Sequence, residues 1–261
     1  MTGMANKLLK RTSRSNLAYV SDWDGGRNVH KMDHLGTFLL LKCMHFATRT
    51  MPDFVCSSCF RLAFRLVFFS FCTVCFLPGI LALGAYSKPD SPNRDRDMML
   101  AKSLMYTCYQ MYERTNTGIA AEYYEYPGGG DPKPAPRAPF YILRPETAES
   151  LFVLHQLTGN PIYRDWSFNM FSAIEKYCKT QYGYGAWPDV RQTGRRPDDR
   201  MESFWLGETL KYFYLVQVPM EEHGIDLTKY VFNTEAHPTR TLTEVRKAIK
   251  EAASKASNGR L

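Results

Sequence analysis

The sequence predicts an all-α fold, and three observations carry that reading. Apolar residues recur at three- and four-residue intervals along four stretches, no run alternates apolar and polar residues convincingly for the length of a strand, and the connecting segments are dense in Gly and Pro. At 261 residues, 44% hydrophobic and 14% aromatic, the chain can bury a sizeable core in one or two domains.

In chain order, the first thirty residues are polar and hold no apolar core of the kind a signal peptide needs. Helical periodicity then runs over 95–114, 147–157, 163–178 and 202–216, giving four core-facing helices. Between them lie YPGGGDPKPAPRAP at 126–139 and QYGYGAWPDVRQTGRRPDD at 181–199, both read as structured loops. Residues 241–261 read as a polar, solvent-facing terminal helix with a frayed end. The net charge of +7 is spread over Lys7, Lys10, Arg11 and Arg14, over Arg191, Arg195 and Arg196, and over the last fifteen residues. That distribution reads as solvated surface, and no nucleic-acid stripe is expected.

Seven cysteines are too few for a disulfide scaffold, and five of them, Cys43, Cys56, Cys59, Cys72 and Cys75, lie between positions 43 and 75. CSSCFRLAFRLVFFSFCTVC, at 56–75, holds two Cys-x-x-Cys pairs twelve residues apart, the spacing of a zinc ribbon. The segment between the pairs has none of the Gly, Lys or Asn that lets backbone amides face thiolates, so zinc is disfavoured. A membrane span competes, because Leu66–Ser87 carries no formal charge over 22 residues, enough to cross roughly 30 Å of hydrocarbon. Pro78-Gly79 interrupts that run.

The unusual residues sit at helix starts. LRPETAESLF, at 143–152, places Pro145 where a first turn tolerates it and Glu146 and Glu149 one turn apart. MESFWLGETLKYFY, at 201–214, sets Glu202 and Glu208 on an otherwise apolar and aromatic helix. An acid in a first turn also complements the helix dipole, so capping alone explains part of this pattern. Carboxylates among so much aromatic surface are nevertheless costly to bury without partners. VFNTEAHP, at 231–238, adds Glu235 beside Thr234, whose hydroxyl and carbonyl are both oxygen donors, and several carboxylates with a Thr suit a hard cation such as calcium.

LRPETAES, YRDW at 163–166, RMESFWLGETLKYFYL and KYVFNTEAHP, in this order and at these separations, resemble the C-terminal half of the class I α-1,2-mannosidases, glycoside hydrolase family 47. KMDHL at 31–35, CFLPGILALGAY at 75–86, TCYQM at 107–111 and NTGIAAE at 116–122 resemble further family segments. The likeness covers about residues 5–35 and 74–238. Relatives run directly from KMDHL into VCFLPG, so the 38 residues Gly36–Thr73 have no counterpart and read as translated intron or a gene-model error. The implied organisation is catalytic domain over 1–35, a non-family apolar insert over 36–73, the C-terminal half of the catalytic domain over 74–238, and a polar tail over 239–261.

The resemblance implies a partial (α/α)7 barrel and an inverting hydrolase that trims terminal α-1,2-linked mannose from high-mannose N-glycans, with a calcium ion at the barrel floor. Such chemistry needs an acid for the leaving oxygen and a base for water, about 6.5–9.5 Å apart. By motif, Glu146 is the catalytic base and Glu122 the proton donor, His34 and Arg144 line the sugar pocket, and Phe204 stacks beneath the mannose ring. Thr234 would ligate calcium directly, with Glu149, Glu208 and Glu235 holding its waters, and Cys75 would pair with Cys108 in a disulfide. The implied compartment is the oxidising lumen of the endoplasmic reticulum or Golgi, with a membrane anchor in the parent protein outside this chain. As a truncated catalytic domain the chain is expected not to hydrolyse mannose alone. A glycan-binding, non-hydrolytic mannosidase-like protein and a membrane-anchored interaction protein built on 66–87 are the alternatives.

Overall fold

A computed structural model describes residues 8–24, 27–33 and 75–258. Seven α-helices dominate the described residues: α1 (Leu77–Ser87), α2 (Arg94–Glu113), α3 (Glu146–Thr158), α4 (Ile162–Cys178), α5 (Leu210–Gln217), the short α6 (Met220–His223) and α7 (Leu242–Asn258). The four helices read from periodicity are present to within a few residues, and the terminal helix is α7, most of whose described side chains are at least partly exposed. One of the four departs from regularity: the stretch read as a helix over 202–216 opens with a π turn at Trp205–Thr209 before continuing as α5.

Short antiparallel strand pairs accompany the helices. Leu9–Arg11 (β1) pairs with Ala18–Val20 (β2), and Asp22–Asp24 (β3) with Arg27–Val29 (β4), both antiparallel. Lys31–Asp33 (β5) pairs with Tyr123–Glu125 (β6), which also pairs with Lys133–Pro134 (β7), and Tyr230–Phe232 (β8) pairs with Pro238–Arg240 (β9). Strands of two or three residues cannot display alternation, so no apolar-polar pattern announces them.

Most buried apolar residues form one cluster joining α1–α5 with β2 and β6, with Leu81, Leu104, Met105, Phe152, Ile174, Trp205 and Tyr212 among its members. The N-terminal segment joins this body through the Thr107 hydroxyl, which donates to the Ala18 carbonyl at 2.6 Å, and through the β5–β6 pairing. α1 packs against both α2 and α3. It approaches α3 closely because Gly79 has no side chain: a Cβ there would stand 3.1 Å from Ser150 Oγ. Ser150 Oγ instead receives the Gly79 amide at 3.1 Å and donates to the Cys75 carbonyl at 2.6 Å.

Cys75 is disulfide-bonded to Cys108, with Cα atoms 5.7 Å apart, tying the entry of α1 to the middle of α2. The described part of the candidate membrane span 66–87 is α1, 11 residues long and about 16 Å by helical rise, buried against its neighbours. Among the described residues no helix is long and apolar enough to cross a membrane. The insert 36–73, with Cys56, Cys59 and Cys72, lies outside the described residues, as does His34.

Candidate active site

The site is built around the entry of α3. Leu143 takes a left-handed backbone conformation with φ of 67°, and the chain then runs through Arg144 and Pro145 into Glu146, the first residue of the helix. Glu146 and Glu149, one turn apart, are both buried, with Glu146 only 2% exposed. Neither acid is a solvent-facing first-turn cap, so the cost of burying a carboxylate applies at both positions. Glu202, by contrast, pairs with Arg200 at 3.1 Å and is partly exposed.

Arg144 and Glu122 meet as a buried ion pair. Nε of Arg144 donates to both Glu122 oxygens, at 3.1 and 3.2 Å, and Nη2 donates to Oε1 at 2.7 Å. Forked pairing of this kind fixes the guanidinium plane as well as its charge. The Glu122 amide donates to the Phe140 carbonyl at 2.8 Å, which secures the carboxylate's own backbone. On its other side Arg144 lies over the Phe204 ring, 5.8 Å from the centroid. Glu122, Arg144 and Phe204, three residues far apart in sequence, are thus in one contiguous stack beside Glu146.

The electrostatics single out Glu146. Burial is the largest influence on its carboxyl, which is pushed up to about 8; the Arg144 charge and the residue's own amide pull the other way, and the charges of Glu122 and Glu149 add to the rise. Its Oε2 atom is buried and accepts no hydrogen bond. Tyr112 lies alongside, its hydroxyl donating to Thr147 Oγ1 at 3.4 Å, and burial raises its phenol far above the ordinary value.

A second group lies on the α1, α5 and β8 side of α3. Glu149 lines a narrow cleft there with Phe76, Tyr212 and Phe232. Tyr212, buried between Glu149 and Glu208, has its phenol raised well above the ordinary range by burial first and by those two carboxylates. The loop after β8 is seated on α5 by Lys211, whose ammonium donates to the Ala236 carbonyl at 2.8 Å. Within that loop Asn233 Oδ1 accepts the amides of Glu235, at 3.0 Å, and His237, at 2.8 Å. Thr234 is half-buried, Glu235 is exposed, and Glu208 is buried one turn before Lys211.

Tyr112, Tyr212 and Leu143 were not legible beside the site. Both tyrosines lie in apolar helical runs that no local feature sets apart, and a left-handed leucine has no sequence signature.

A model of glycosyl hydrolase family 47 matches residues 70–241. The chain is 36% identical over 234 residues to a mannosyl-oligosaccharide 1,2-alpha-mannosidase of Arabidopsis thaliana, covering 89% of this chain and 34% of that protein. It is 35% identical over 243 residues to the endoplasmic reticulum mannosyl-oligosaccharide 1,2-alpha-mannosidase of Homo sapiens, covering 90% of this chain and 29% of that protein. The solved alpha-1,2-mannosidase from Trichoderma reesei superposes with a TM-score of 0.69 at 25% identity, over 92% of this chain and 45% of that one. The chain spans about a third of the length of these curated relatives. It belongs to glycosyl hydrolase family 47.

Proposed function

We propose that this chain carries the base and cation side of an inverting α-1,2-mannosidase site, acting on terminal α-1,2-mannose of high-mannose N-glycans. The observation that supports this most is the conjunction at the start of α3: a buried Glu146 with one unmatched oxygen, beside an Arg144 clamped by Glu122 and backed by the Phe204 ring. In this reading 74–238 and 1–35 belong to one catalytic domain, part of an (α/α)7 barrel, and 36–73 is foreign to it.

Glu146 is the base that takes a proton from water. With its carboxyl raised to about 8 it is protonated at neutral pH, so the base role requires additional positive charge nearby. The residues present fit a hard cation: a buried carboxylate oxygen without a donor at Glu146, Glu149 buried one turn further along α3, and Glu208 buried with Glu149 against Tyr212. Among the described residues no three His, Cys, Asp or Glu side chains close into a ligand set, so direct contact would fall to the Thr234 oxygens, with Glu149, Glu208 and Glu235 acting through water. Calcium bound there would supply the positive charge that keeps Glu146 ionised. Arg144 and Phe204 would hold the sugar, the guanidinium by hydrogen bonds to hydroxyls and the ring against an apolar sugar face.

Glu122, read by motif as the proton donor, has both oxygens engaged by Arg144. That pairing favours binding without turnover for this chain, which is also what a non-hydrolytic glycan-binding relative would show. The Cys75–Cys108 disulfide supports an oxidising compartment of the secretory pathway.

The test is calorimetric titration of α-1,2-mannobiose into the chain, with calcium and with a chelator. Saturable binding that requires calcium and is lost in Arg144→Ala is the expected result. Binding indifferent to the chelator overturns the cation assignment, and absence of binding in both overturns the site.

A further inference from the structure

We propose that Thr209 is a positioning residue of this site: its hydroxyl clamps the Leu143 carbonyl and so holds the left-handed turn that delivers Arg144 and Glu146. The inference rests on the reading of those two residues as sugar contact and base.

Two backbone irregularities near the site motivate it. Leu143 has φ of 67° and a fully buried side chain. An L-residue with a Cβ in that region is disfavoured and persists only where its surroundings over-determine it. The second irregularity is the π turn Trp205–Thr209, whose wide spacing shows in the Leu210 amide bonding back to the Trp205 carbonyl. Such turns are rare and concentrate at functional positions.

The two irregularities meet at one contact. Thr209 Oγ1 donates to the Leu143 carbonyl at 2.6 Å, and Thr209, like Leu143, is fully buried. In the wide turn, residues five apart lie over one another, as the 3.5 Å approach of Thr209 Oγ1 to the Phe204 carbonyl records. Phe204 and Thr209 therefore address the same side. One places its ring against Arg144, the other fixes the residue immediately before Arg144. From there the linkage is short: Arg144 forks onto Glu122, Pro145 has a constrained φ, and Glu146 opens α3. A rotation at Leu143 would swing the guanidinium off Glu122 and Glu146 out of its pocket. Glu208, the preceding residue of the same turn, belongs to the cation side, so the clamp ties the two halves of the site together.

The experiment compares Thr209→Val, which keeps the shape and removes the donor, with Thr209→Ser, which keeps the donor. NMR on the chain reads the HN–Hα coupling and intraresidue NOE of Leu143, and the Arg144 Nε–H resonance. Thr209→Val is expected to move Leu143 out of the left-handed region and to lose the protected Nε–H signal. It should also weaken α-1,2-mannobiose binding in calcium at least tenfold, while Thr209→Ser stays within about twofold on every readout. Adding Leu143→Gly, which tolerates positive φ without a clamp, should recover the Arg144 signal in the valine background. A valine variant that keeps the Leu143 conformation, the Nε–H signal and the affinity overturns the proposal; if valine does not fold, Thr209→Ala is read in the same way. Should wild type bind no mannobiose, the functional reading falls, and the NMR comparison still decides the clamp.

Discussion

Glu146 links burial to a measurable pH dependence. Its carboxyl titrates near an ordinary 4.5 in the unfolded chain and near 8 when buried, so the folded state holds a proton that the unfolded state has released between those values. A raised carboxyl therefore favours the fold fully below about pH 4.5, and that contribution drains away as pH rises to about 8. Glu146→Gln should flatten this slope and, in the absence of calcium, stabilise the chain at pH 8 by about 1–3 kcal/mol. Chemical denaturation at pH 5 and pH 8 measures it, and an unchanged slope refutes the buried titration. Arg144 gives the complementary case. Arg144→Ala leaves the Glu122 carboxylate buried without its partner, an outcome worth about 3–5 kcal/mol of destabilisation, whereas Glu122→Gln in the same background should recover part of it. If the double variant is no more stable than the single, the ion pair is not what holds these side chains. The acids at 146, 149 and 208 were legible because carboxylates in aromatic-rich helices demand an explanation. Their partners were not, because a bidentate contact between positions 122 and 144 depends on how a Gly- and Pro-rich loop folds, which no local pattern encodes.

The close packing of α1 on α3 depends on Ser150. Its hydroxyl satisfies a buried amide and a buried carbonyl at once, at the point where Gly79 lets the two helices touch. Ser150→Ala strands both groups and should cost about 1–3 kcal/mol, read from the shift of the denaturation midpoint at constant slope. A cost near zero would mean that the helices repack without the bridge. α2, α3, α4 and the stretch that ends in α5 were legible because their apolar period extends over ten or more residues, whereas α1 lay hidden in a longer uncharged run. The hairpins were not, being too short to show a period, and the π turn was not, because one extra residue in a helical register leaves the apolar pattern nearly intact. Where the zinc-ribbon spacing and the uncharged run suggested a separate module, Cys75 and α1 turned out to belong to the core, the cysteine through Cys108 and the helix through its buried face.

The Cys75–Cys108 disulfide closes a separation of 33 residues between α1 and α2, and cross-linking at that span stabilises by about 3–4 kcal/mol in the chain-entropy account. Catalysis depends on the assembly of several groups more than on any single contact. The chain covers 45% of the Trichoderma reesei alpha-1,2-mannosidase structure and brings Glu146, Arg144 and Phe204 together, while Glu122 is committed to Arg144. In the proposed reading Glu122 is the proton donor, and a donor held by Arg144 lowers a rate by roughly 10²- to 10⁴-fold. Mannose release from a high-mannose glycan by this 261-residue chain should therefore be at least 100-fold slower than by a full-length family 47 enzyme assayed beside it, even where α-1,2-mannobiose binds. Binding with so slow a release would mean that the entry of α3 holds substrate without completing the acid-base pair. Turnover within tenfold of the longer enzyme would instead require that Glu122 leave Arg144 and donate its proton, and the reading of that ion pair as a fixed part of the site would be wrong.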